Sequence, residues 1–214
     1  MGTKFSTRIW VSVVGIASIF LGSKGYADTV ISVADFGLKP DTRENAVAYV
    51  QKAIEACRGK EPVTLVFPEG RYDFWPQYAH EKNYYETNTY DVFPKRLAML
   101  FEGLHNITVD GNGSQFIMHD RIQPITVENC DGVTLKNFSI DWDIPLTAQA
   151  RVTKVGSDFF EIEINVLESP YIIEDGKLVF VGEGWKSALG SMIEFESDTH
   201  FVVPGTGDLV LGWN

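Results

Sequence analysis

Asp141-Trp142-Asp143 is the stretch of this 214-residue chain whose residue types come closest to chemistry. Two carboxylates around an aromatic can hold sugar hydroxyls, and a carboxylate pair is what hydrolysis of a glycosidic bond uses. Successive side chains of a strand point to opposite faces, so Asp141 and Asp143 share one face and Trp142 takes the other. The structural alternative is that one Asp caps a strand corner while Trp142 fills a junction. Asp110 lies between Val109 and Gly111, where an Asp-Gly corner accounts for it without chemistry. His119-Asp120-Arg121 carries ligand-binding groups but reads as a solvated loop. Glu102 and Glu128 recur at equivalent places, which favours a structural contact. No metal-ligand spacing, phosphate-cradling Gly loop or nucleophile elbow occurs, so no cofactor and no metal are expected.

A second group of candidates lies between Phe74 and Phe93. Trp75, Tyr78, Tyr84, Tyr85 and Tyr90 are interspersed there with His80, Glu81, Asn83, Glu86 and Asp91. No period of 2 or 3.6 persists, so the segment reads as a long loop, and long loops in compact proteins are often functional. Aromatic faces stack on sugar rings; the alternative is that these rings pack onto the neighbouring strands. Trp75 joins Asp141, Trp142 and Asp143 as an expected substrate-binding residue.

These residues depend on a scaffold whose main signal is internal similarity. Ala98–Val109 and Pro124–Leu135 repeat each other at an offset of 26 residues, apolar on apolar and Glu102 on Glu128. A period of 20–50 residues marks stacked units. Short β segments separated by Gly, Asn and Asp predict coils of a parallel β-helix. Each coil would have three strands, one coil being Ala98–Phe101, Ile107–Val109 and Phe116–Met118, with a corner at Gly111-Asn112-Gly113. Before the coils, Val47, Val50, Ile54 and Cys57 predict an amphipathic helix over Glu44–Arg58, capped by Thr42 and closing the open end of the strands. After Pro145 the 26-residue offset is lost. Strictly alternating strands such as Phe160–Val166 predict a small antiparallel barrel or sandwich. The expected organisation is an all-β chain with a signal peptide at 1–27, a cap and first coils at 28–147, and an incomplete barrel-like insertion at 148–214.

Lys4 and Arg8, the apolar run Ile9–Leu21 and the small-x-small site Gly25-Tyr26-Ala27 read as an export signal. The run is too short for a comfortable membrane span, an uncleaved anchor being the alternative. Cleavage takes the net charge from −11 to −14, since Lys4, Arg8 and Lys24 leave and no acid does. So acidic an exported chain is a poor ligand for nucleic acid or a polyanion, because affinity for phosphates rests on Lys and Arg. The expectation is a periplasmic or secreted protein, off the membrane after cleavage, with a neutral ligand. Two cysteines make no disulfide scaffold. Cys130 aligns with Leu104, which argues for a buried thiol, a bridge to Cys57 being the alternative.

Asp35-Phe36-Gly37, Asp41-Thr42, Gln51-Lys52-Ala53-Ile54 and Phe67-Pro68-Glu69-Gly70-Arg71-Tyr72 together resemble the start of pectin-lyase-like β-helix proteins. Val109–Gly113, Asn137–Pro145 and Gly182-Glu183-Gly184-Trp185 extend the likeness, over most of Val30–Asn214, to glycoside hydrolase family 110, the bacterial α-1,3-galactosidases. The resemblance implies a right-handed parallel β-helix carrying small β-barrel insertions, inverting removal of terminal α-1,3-linked galactose from blood-group-B-type or linear glycans, and a possible homodimer in the full-length protein. It places the catalytic aspartates beyond Asn214, so no residue of this chain is assigned a catalytic role. Two other readings are a polysaccharide lyase or polygalacturonase, and a non-catalytic glycan-binding module.

Overall fold

A computed structural model describes residues 29–84, 94–206 and 209–210. The segment 1–27 expected to be a leader, Tyr85, Tyr90, Phe93 and the final Trp213-Asn214 lie outside them. The chain starts with β1 (Thr29–Ser32), a 3-10 turn (Val33–Phe36) and α1 (Val47–Cys57). Then come β2 (Val63–Val66), β3 (Arg71–Phe74), β4 (His80–Lys82), β5 (Lys95–Glu102), β6 (His105–Met118), β7 (Gln123–Glu128) and β8 (Asp131–Trp142). From Arg151 onward there are β9 (Arg151–Val155), β10 (Phe160–Glu163), β11 (Tyr171–Glu174), β12 (Lys177–Gly182), β13 (Trp185–Ala188), β14 (Ser191–Met192) and β15 (Leu209–Val210).

The helix starts later than expected, and Asn45 is the reason. Its Oδ1 accepts the Val47 N–H at 3.1 Å, the kind of bond that satisfies an orphan donor at a helix start. Thr42 accepts the Glu44 N–H instead and organises the turn before it. Val47, Val50, Ile54 and Cys57 are buried, as the spacing predicts, and Ala53 is buried with them. Burial pushes the Cys57 thiol up to about 11. Cys57 and Cys130 are both free, and Cys130 Sγ accepts the Leu104 N–H.

The parallel β-helix expected from the 26-residue offset, right-handed by the family resemblance, is not what these strands form. They lie in several small sheets: a five-stranded parallel sheet, a mixed sheet in the order β4-β5-β7, and antiparallel groups β9-β10, β11-β12-β13 and β14-β15. The three-strand coils are missing because their parts run on into one another. Ile107–Val109 and Phe116–Met118 belong to the single 14-residue strand β6, with β2 and β3 end to end along one edge and β8 along the other. Gly111-Asn112-Gly113 is no corner. β6 spends three residues there, between Asp110 and Ser114, where β8 spends only Asn137, so the pairing offset drops from 26 to 24 in mid-strand. This is a bulge: surplus residues bend a strand without ending its ladder. Asn112 and Gly113, from the expected corner, and Asn137 opposite them take left-handed backbone angles. Asp110 binds the bulge together through the Asn112 N–H, the Asn137 amide and Lys136. The Asn137 bond is the main cause of its carboxyl lying below the ordinary range.

The core lies between the five-stranded sheet, β5 and α1. Phe116 is fully buried at its centre, its ring centroid 4.7 Å from Phe67, 5.7 Å from Phe74 and 4.7 Å from Phe138. Residues 26 apart on β5 and β7 pair directly, which sets Glu102 beside Glu128. Lys82 bonds both carboxylates, at 2.6 and 2.9 Å, and relieves their repulsion. The Tyr84 hydroxyl also donates to Glu128.

Phe116→Ala should cost about 3–5 kcal/mol, since a large ring leaves a site its neighbours cannot refill. Val155, which is 75% exposed, should tolerate Ala within about 0.5 kcal/mol. Urea unfolding midpoints of the two variants check both figures.

Candidate functional site

The site grows from Asp73, a buried carboxylate inside a strand. β3 alternates, so Arg71 and Asp73 share a face. The Arg71 guanidinium reaches back to Asp73 with Nε at 3.0 and 3.1 Å from the two oxygens and Nη2 at 2.6 Å. The same Nη2 lies 2.6 Å from Asp143 Oδ1. Arg43 stands outside this pair, its Nη1 3.5 Å from Asp143 and 3.9 Å from Asp73. From the far side His119, itself buried, brings Nε2 to 2.9 Å from Asp73 Oδ1.

The other ring nitrogen of His119, Nδ1, faces Glu183 Oε2 at 2.7 Å. Two carboxylates can only accept, so a doubly protonated ring satisfies both contacts. A neutral ring leaves one nitrogen facing an oxygen with no hydrogen between them. Trp75 lies flat on this imidazole, ring centroids 3.8 Å apart and 11° from parallel. The backbone beneath Trp75 is held by Asn45, whose Oδ1 accepts the Trp75 N–H while Nδ2 donates to the Gln77 carbonyl at 3.0 Å. Gln51, on α1, donates to the Tyr78 carbonyl at 2.8 Å.

Burial pushes the Asp73 carboxyl up, but hydrogen bonds from Arg71 and His119, with their charge, outweigh it and hold the group below the ordinary carboxylate range. Asp143 is lowered chiefly by its hydrogen bond from Arg71. The Arg71 guanidinium is driven upward, above all by its bond to Asp73. Asp73, His119 and Asp143 offer ligand atoms within 4.8 Å of one another, a set that could hold a cation. It does not fit a metal as it stands, because the Arg71 guanidinium already sits between the two aspartates, 2.6 Å from an oxygen of each.

Above Trp75 a cleft of about 770 Å³ opens between Arg43 and Asn45, the Trp75–Ala79 turn, Glu81, Arg96, Asp120 and Glu183-Gly184. Of the four residues expected to bind substrate, Trp75 lines it, and Asp143 stands behind it through Arg43 and Arg71. Trp142 is partly buried against the core, its Nε1 donating to the Asp120 carbonyl at 3.2 Å. Asp141 is exposed and accepts the Trp142 N–H. Sequence reasoning passed over Arg71, Asp73 and Glu183, and it took His119 for a solvated residue. The one available signal was Asp73 itself, a charge between the apolar Tyr72 and Phe74.

Residues 148–213 match the family model described as GLAA-B beta-barrel domain I. The chain is 61% identical over 187 residues to the alpha-1,3-galactosidase B of Bacteroides thetaiotaomicron, a match covering 87% of this chain and 30% of that protein. It is 35% identical over 169 residues to the alpha-1,3-galactosidase A of Shewanella woodyi, covering 78% and 28%. With the alpha-1,3-galactosidase B of Phocaeicola vulgatus it shares 36% identity over 205 residues, covering 94% and 32%. These matches put the chain in a glycoside hydrolase family. That family is the α-1,3-galactosidases, glycoside hydrolase family 110, and the chain spans about 30% of the length of these relatives.

The lowered carboxyls give stability a defined acid limit. A group depressed in the folded state stabilises fully above its unfolded value, about 4 for Asp, and loses that stabilisation as pH falls through the lower native value. Asp73→Asn should flatten this acid slope. It should also cost about 3–5 kcal/mol at neutral pH, since Arg71 loses a buried counter-charge. Urea midpoints of both proteins between pH 7 and 3 measure the slope and the offset together.

Proposed function

We propose that this chain is the N-terminal portion of an exported hydrolase that removes terminal α-1,3-linked galactose from glycans with inversion. The observation that carries the reading is the 61% identity, over 87% of the chain, to a protein named alpha-1,3-galactosidase B. Inversion requires one carboxylic acid to protonate the leaving oxygen and a second carboxylate, roughly 6.5–9.5 Å away, to activate water. In this reading both catalytic carboxylates lie beyond residue 214. The described portion supplies glycan contacts, with Trp75, Asp141, Trp142 and Asp143 as the candidates.

The division into a leader at 1–27, a sheet-and-helix portion at 28–147 and an antiparallel portion at 148–214 belongs to the same proposal. So do export to the periplasm or medium and dimerisation of the whole enzyme. A lyase acting on uronates is the weaker reading. Arg43 and Arg96, the cations that line the cleft, each stand within 4 Å of a carboxylate, Asp143 and Glu81.

The full-length gene product should release galactose from blood-group-B trisaccharide and from linear α-1,3-galactosides, with the β-anomer appearing first in a proton NMR time course. The 214-residue chain alone should release none. First appearance of the α-anomer, or galactose release by the short chain, would contradict the corresponding part of the proposal.

A further inference from the structure

We propose that the cleft over Trp75 is a glycan-binding site in its own right, one that takes a neutral hexopyranose without the catalytic carboxylates. That the ligand is a galactose-bearing glycan rests on the family reading above; the site itself rests on the geometry.

Three observations converge on it. The first is a prearranged aromatic platform. Trp75 is partly exposed and lines the cleft, while His119 backs it at 3.8 Å. His119 is fixed by a bond at each nitrogen, and Asn45 holds the Trp75 backbone. A ring locked before the ligand arrives loses little entropy on binding. Its negative π face suits the C–H groups along one side of a pyranose.

The second observation is the mixture of polar groups around the platform. Arg43 and Arg96 present N–H donors; Glu81 and Asp120 present acceptors. A hydroxyl both donates and accepts, so a rim that alternates donors and acceptors matches a polyol. An anionic sugar would bring its charge towards Glu81, Asp120 and Glu183, and each arginine already has a carboxylate neighbour. The volume of about 770 Å³ lies in the usual range for small-ligand pockets and exceeds the needs of one sugar ring.

The third observation is backbone conformation. Arg43, Tyr78 and Asp120 all line the cleft, and all three have left-handed φ values, of 61°, 67° and 54°. Asp tolerates that region, but Arg and Tyr reach it only where the surroundings hold them there. Such residues gather at binding and active sites more than elsewhere, and here three surround one cleft.

The test is calorimetric and NMR titration of the intact 214-residue chain with blood-group-B trisaccharide, galactose and galacturonic acid. The two neutral sugars should saturate the chain and shift the Trp75 indole signal, while galacturonic acid binds more weakly. Trp75→Ala should weaken binding at least about tenfold. Trp75→Phe, which keeps a stacking ring, should stay within about threefold of the parent. Arg43→Ala should weaken binding as well, with the unfolding midpoint monitored to separate lost contacts from lost structure. No saturation by any sugar at tens of millimolar, preference for galacturonic acid, or affinity unmoved by Trp75→Ala in a folded protein would each overturn the proposal. An inactive full-length enzyme would count against the galactosidase reading and leave this measurement standing.

Discussion

Burying the Asp73 carboxylate is the constraint around which this part of the molecule is arranged. An isolated carboxylate in a protein interior costs several kcal/mol even after relaxation, so the charge persists only with partners on every side. Arg71 supplies a two-pronged bond from the same strand, His119 approaches from the end of β6, and Arg43 adds a more distant charge. The backbone of the same residue is committed as well. The Asp73 carbonyl accepts the Ala46 N–H at 2.8 Å at the start of α1, and Asp73 pairs with Ile117 on β6. One residue thereby ties the start of the helix that Asn45 caps to β3, joins β3 to β6 and gives the His119 ring a fixed partner. Through the far nitrogen of that ring, the constraint reaches Glu183 in the turn between β12 and β13.

The scaffold was partly legible because some of its rules are local. The spacing of Val47, Val50, Ile54 and Cys57 reports a helix face, since 3.6-residue periodicity is written directly into the chain. The 26-residue offset reports strand register, because residues in register face the same environment: Met99 pairs with Ile125, Ile107 with Val133. Continuity was not legible. Gly-Asn-Gly serves a corner or a bulge equally well, since both need left-handed backbone, and only the partner strand decides which. The ladder resumes at Ser114 opposite Phe138, so the chain forms long strands in small sheets rather than three-sided coils.

The site was less legible than the scaffold, for a related reason. His119 and Asp73 are 46 residues apart, and His119 and Glu183 are 64 apart. No pattern in sequence ties them together. A polar triplet such as His119-Asp120-Arg121 reads as solvated unless its partners are known. Aromatic content, by contrast, drew attention to Trp75, because a large ring among polar residues needs either a core or a ligand. Trp75 has part of each: one side meets a buried imidazole and the rest lines the cleft.

The Asp141-Trp142-Asp143 triplet shows how strand geometry divides work among neighbours. All three were grouped by composition, yet β8 ends at Trp142 and the backbone turns there, with the Asp143 N–H bonded to the Met118 carbonyl. Asp143 is thereby delivered to Arg71 and Arg43, next to the buried charge. Trp142 packs inward and holds the Asp120 carbonyl, fixing a residue whose own side lines the cleft. Asp141 keeps only a bond to the next N–H. Lengthening β8 by one residue would exchange the faces of Trp142 and its neighbours, place an indole where Arg71 and Arg43 meet the Asp143 carboxylate, and leave those two cations facing Asp73 without their second counter-charge. The length of this edge strand therefore bears on the cleft as directly as any residue lining it.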